Sequence, residues 1–66
     1  MKINKVLGRF AELQLTQLEV AKKLGISRST LSGRLKGKTN FSIREIQSLS
    51  KILGLSKSEM EDIFFD

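Results

Sequence analysis

The sequence predicts an all-α fold of five short helices, and three observations predict it. Apolar residues return at three- and four-residue intervals along most of the chain, the spacing that places them on one face of an α-helix. Ser or Thr followed three residues later by Glu occurs at Thr16 and Glu19, Ser42 and Glu45, and Ser56 and Glu59. Such a pair satisfies two of the free N–H groups at a helix start reciprocally. No stretch alternates apolar and polar residues in the manner of a half-buried strand.

Taken in order, Ile3, Val6, Leu7, Phe10 and Leu13 predict a first amphipathic helix over about 3–13, despite the low helix propensity of Gly8. Thr16 opens the second helix, whose inward positions are Val20, Ala21 and Leu24. Gly25 then supplies the left-handed conformation that closes a helix and turns the chain, and Ile26 anchors the turn. Ser27 caps a third helix whose buried stripe is Leu31 and Leu35, up to Gly37. A fourth helix is expected near 43–53, with Ile43, Ile46, Leu49, Ile52 and Leu53 inward. A fifth is expected near 57–65, with Met60, Ile63 and Phe64 inward and Gly54 separating the two.

The composition narrows the function. Sixty-six residues without Cys or His are expected to form one domain, residues 1–66, held by packing and caps rather than by disulfides or zinc. No metal, cofactor or small-molecule ligand is implied. Neither a membrane-spanning run nor the apolar core of a signal peptide is present, so the expected location is the cytoplasm. Catalysis is disfavoured: His, Cys, Tyr and Trp are absent, the carboxylates sit mostly at caps, and Ser27, Ser29 and Thr30 have no activating base in view.

Charge points to the partner. Twelve Lys and Arg against seven Asp and Glu give +5. Lys22, Lys23, Arg28, Arg34, Lys36, Lys38 and Arg44 lie between Glu19 and Glu45 with no acidic residue among them, whereas the last eight residues hold Glu59, Glu61, Asp62 and Asp66. A basic stretch by itself is commonly a solvated face. Here it coincides with the one capped helix that carries Thr30 rather than Glu at its third position. That leaves a positive helix N-terminus open to an anion.

Residues 15–37 read LTQLEVAKKLGISRSTLSGRLKG. A small residue in one helix, a Gly turn, an apolar anchor and a capped second helix follow at the intervals of a helix-turn-helix, spanning roughly 16–37. The pattern TQ, then Ala21, Leu24-Gly25, Ser27, Leu31 and Gly37 resembles the Cro/CI-type (XRE-like) regulators of phages and their bacterial relatives. The ending GKTNF, S.REIQ.LS.ILGLS and IFF resembles short prophage-encoded regulators of Gram-positive bacteria. The resemblance implies a compact five-helix lambda-repressor-like DNA-binding domain acting as a repressor on double-stranded DNA. It implies base reading by Arg28, Ser29, Ser32 and Gly33, and phosphate contact by Gln17, Ser27, Arg34, Lys36, Lys38, Thr39 and Asn40. Gly33 departs from the larger polar residues frequent at its position, and Lys36 from a frequent Asn.

Phe64 and Phe65 are candidate contacts for a homodimer, paired weakly through the fifth helix or only on DNA, because adjacent aromatics at a helix end cannot both face one core. The expectation for Phe65 itself is that it folds back over the core edge. The competing reading is a protein-interaction module of antirepressor or antitoxin type, which the basic face disfavours.

Overall fold

The structure, a computed structural model, describes residues 1–65 and contains five helices: α1 Ile3–Glu12, α2 Gln17–Leu24, α3 Arg28–Leu35, α4 Ile43–Leu53 and α5 Lys57–Phe64. Among the described residues there is no strand. Asp66, counted above with the acidic end of the chain, lies outside them.

The caps explain where the helices begin. Thr16, Ser42 and Ser56 each accept the N–H of the Glu three residues on, at 3.1 Å in every case, while Glu19, Glu45 and Glu59 accept the N–H of their own cap residue at 3.2, 2.9 and 3.0 Å. Their carboxyls are accordingly held below the ordinary range; for Glu19 and Glu59 the backbone hydrogen bond at the cap is the main cause. Only α1 lacks a side-chain cap. Its start is tied elsewhere, the Lys2 N–H donating to the Ile63 carbonyl at 2.9 Å.

Val6, Phe10, Val20, Ala21, Leu31, Leu35, Leu49, Leu53 and Ile63 form the core, with every helix contributing. α2 packs on both α3 and α4, and α1 packs on α5. Arg9 bridges the two groups by donating its Nε–H to the Leu53 carbonyl at 2.7 Å, a cation placed at the negative end of α4. Ser50 is buried on the inward face of α4 and satisfies its hydroxyl by donating to the Ile46 carbonyl at 2.8 Å.

Three residues assigned to inward stripes lie at the surface: Leu7 is 38%, Leu13 39% and Ile43 62% exposed. Leu7 sits on the shoulder of the stripe defined by Val6 and Phe10, Leu13 falls past the end of α1, and Ile43 occupies the first turn of α4 before that helix reaches the core. Helical spacing gives a face; it does not give where along the axis the core begins.

At the acidic end, Asp62 accepts hydrogen bonds from Lys2 at 2.7 Å and from Lys5, joining α5 to the start of α1. The hydrogen bonds from Lys2 and Lys5 lower its pKa to about 2 from an ordinary 3.8. A carboxylate depressed in the folded state stabilises at pH values above its unfolded pKa, and that contribution is lost as pH falls through the folded value. Asp62→Asn is therefore expected to lower the melting temperature slightly at neutral pH, as befits a pair with side chains 36% and 43% exposed. The gap to wild type should narrow as pH drops from about 4 towards 2, which paired thermal melts would show.

Candidate nucleic-acid interface

The interface is built on how α2 hands over to α3. Gly25 takes φ 75°, where a β-carbon would be strained. Its N–H donates to the Lys22 carbonyl at 3.2 Å and the Ile26 N–H to the Ala21 carbonyl at 3.0 Å, which closes α2 and reverses the chain. Ala21 is completely buried, so α3 crosses close to α2, and Leu24 and Ile26 pack partly buried against the core on either side of the turn.

α3 is then held by Leu31 and Leu35, the first fully buried and the second nearly so. Residues 29 and 33 fall on the opposite side by helical spacing, with 32 and 36 on the flanks, whereas residue 28, three before Leu31, shares the buried stripe's spacing and is exposed because it opens the helix. Arg28, Ser29 and Lys36 are exposed, and Ser32 and Gly33 half-buried. At about 1.5 Å per residue the helix is roughly 12 Å long, a length that fits a major groove. Ser27 accepts the Thr30 N–H at 3.0 Å and donates its own hydroxyl to Thr30 Oγ1 at 2.8 Å. No acidic side chain occupies the first turn. The positive end of α3 and Arg28 thus face outward together.

The other end of α3 is closed by Gly37 at φ 79°. The Gly37 N–H donates to the Arg34 carbonyl at 3.2 Å and the Lys38 N–H to the Gly33 carbonyl at 2.9 Å, the paired bonds of a left-handed helix stop. The chain then runs out through Lys38, Thr39 and Asn40, all exposed beside α3. Gln17 lies half-buried at the first position of α2. Of the expected site residues, Ser29 and Gly33 share the outward side of α3, Ser32 lies on its flank, Arg28 stands exposed at its N-terminus, and Lys36, Lys38, Thr39 and Asn40 follow it directly.

Arg34 is placed differently from its expected role as a free phosphate contact. Its Nε–H donates to Glu45 Oε1 at 2.7 Å, with the two side chains only 22% and 15% exposed, and its Nη1 lies 3.4 Å from Thr39 Oγ1. Arg34 holds the Glu45 carboxyl below its usual range, helped by the Ser42 N–H and opposed by partial burial. Spacing gave no hint of this pair, since residues eleven apart across a loop have no periodic relation. The cap box had already supplied Glu45 with a sufficient reason to exist.

The two C-terminal aromatics divide. Phe64 is half-buried and meets Phe41 edge to face, with ring centroids 6.2 Å apart and planes at 82°. Phe65 is 57% exposed; it does not fold back over the core, because α5 ends at Phe64 and directs the next side chain outward. Only Phe65 is thus presented as a contact surface.

Among the described residues no cluster of acidic, Cys or His side chains could hold a metal, and no helix is long and apolar enough to cross a membrane. A helix-turn-helix family model matches residues 9–60, from within α1 to α5. The chain belongs to the XRE-type helix-turn-helix family. This is a DNA-binding family and not a family of enzymes. A chain of Methanocaldococcus jannaschii, described as an uncharacterised HTH-type transcriptional regulator, is 42% identical over 61 residues, covering 92% of the present chain and 88% of that relative. No solved structure matches at a significant level.

Within this XRE-type domain Gly33 has no internal reason to be glycine. A β-carbon there would meet only Thr39 Oγ1 at 3.9 Å, an ordinary contact. Glycine inside a helix costs about 1 kcal/mol relative to alanine. Gly33→Ala is expected to raise stability by about that amount in a denaturant titration, while weakening DNA binding if α3 approaches bases closely at this point. A more stable variant with undiminished affinity would leave Gly33 without a role in contact.

Proposed function

We propose that the chain is a transcription regulator that binds double-stranded DNA sequence-specifically, laying residues 28–36 in the major groove. One observation carries the reading: α3 and the loop that follows it present together an N-terminus with no acidic side chain in its first turn, exposed Arg28, and exposed Lys36 and Lys38. Arg28 has the fork to take guanine O6 and N7, Ser29 and Ser32 contact a base edge or a phosphate, and Gly33 allows close approach. Gln17, Ser27, Lys36, Lys38, Thr39 and Asn40 contact phosphates. Residues 1–66 act as one DNA-binding domain in the cytoplasm.

The finer reading is a Cro- or CI-like repressor that blocks or assists polymerase from two half-sites about 10 base pairs apart, as a weak dimer formed on DNA. The exposed Phe65 supports a protein contact of this kind. The same exposure is what favours an interaction module acting on another protein. Selection of duplexes from a random pool at near-physiological salt separates these readings. An enriched inverted repeat supports a dimeric regulator, and a single short site supports a monomeric reader. No enrichment, with weak binding abolished by added salt, would overturn the DNA reading in favour of the protein partner.

A further inference from the structure

The loop following α3 carries much of the cationic surface yet is exposed from Lys36 to Asn40. Something has to hold its backbone if Lys36 and Lys38 are to meet phosphates at fixed spacing. The left-handed stop at Gly37 secures one end, and the half-buried Phe41 with the Ser42 cap secures the other. Across the gap, Glu45 Oε1 accepts both the Arg34 Nε–H and the Ser42 N–H, at 2.7 and 2.9 Å, so a single carboxylate oxygen joins the last turn of α3 to the first residue of the α4 cap. Arg34 also reaches Thr39 in the middle of the loop.

Resting on the DNA-binding reading above, we infer that Arg34 and Glu45 form a positioning pair that sets the loop 36–41 against α3 for phosphate contact. Electrostatics alone would argue against Glu45. It is the one acidic residue between positions 20 and 58, and an anion beside a phosphate-binding surface repels the ligand. Arg34 neutralises it, and the pair exchanges free charge for geometry.

The two accounts predict opposite signs, which makes the test sharp. Glu45→Gln removes the negative charge but keeps a side chain able to serve the cap box. On a labelled duplex carrying the selected site, with folding checked by circular dichroism, Glu45→Gln and Arg34→Gln are each expected to weaken binding roughly tenfold. The double variant should lose no more than either alone, and the dependence of log affinity on log salt should keep its slope. Arg34→Lys, which retains charge without the fork, should fall between wild type and Arg34→Gln, and replaces the latter if it fails to fold. Glu45→Gln binding as tightly as wild type or tighter would overturn the positioning role, as would a slope reduced by about one in Arg34→Gln, the mark of a lost phosphate contact. Failure of wild type to bind any duplex specifically would instead overturn the DNA reading itself.

Discussion

Arg28→Ala is expected to weaken binding to the selected site by roughly 10- to 100-fold and to relax the preference at one base pair, as loss of a bidentate guanine contact removes about 1–3 kcal/mol of discrimination. The fold should survive. Arg28 is exposed at the first position of α3, the cap is made by Ser27 and Thr30 without it, and alanine is a better helix former. Binding to a panel of duplexes with each base pair changed in turn separates two roles. A uniform loss across the panel would mark Arg28 as a phosphate contact, and a loss concentrated at one position marks it as a reader. Arg28→Lys sharpens the result, because lysine keeps the charge while losing the planar fork.

Much of the scaffold was legible because its punctuation is local. Thr16, Ser42 and Ser56 bond to backbone groups within three residues, and Gly25, Gly37 and Gly54 take positive φ at helix ends. Gln14 escaped the same reasoning. At φ 56° it ends α1 in the left-handed conformation with a side chain that gives no notice of it. The depth of burial was legible only in part, since Val6 and Leu7 are adjacent in sequence and equally apolar, yet one is fully buried and the other exposed. What separates them is how α1 is turned against the core, which takes in Val6 and leaves Leu7 out, a property of the packed structure.

The site divides along the same line. The outward placing of Ser29 and Gly33, with Ser32 on the flank, follows from helical spacing once Leu31 and Leu35 are known to be inward, whereas Arg28 is exposed because it opens α3. Arg34 was grouped with the phosphate contacts because a basic run shows charge and conceals pairing. Its partner Glu45 lies on the next helix, and only tertiary structure brings them to 2.7 Å. Phe64 was expected inward and packs on Phe41, but Phe65, expected to fold back over the core edge, is exposed because α5 stops one residue before it.

Leu31→Ala is expected to cause the largest loss of stability on α3, and the reason lies in how little else supports that helix. With eight residues it is shorter than the about 12–15 that make an isolated helix even marginal in water. Ser29, Thr30, Ser32 and Gly33 are poor helix formers besides. Packing of Leu31, which has no exposed surface, and of Leu35 must therefore provide most of its stability. A buried Leu→Ala change costs about 2–5 kcal/mol, whereas a domain of this size has only about 3–10 kcal/mol in total. The melting temperature should drop by at least about 10 °C, with DNA binding falling in step with the folded fraction because no contact residue has changed. A variant that melts like wild type would contradict burial as the support of α3. One that stays fully folded yet loses binding would mean that Leu31 orients the reading face rather than merely holding it in place.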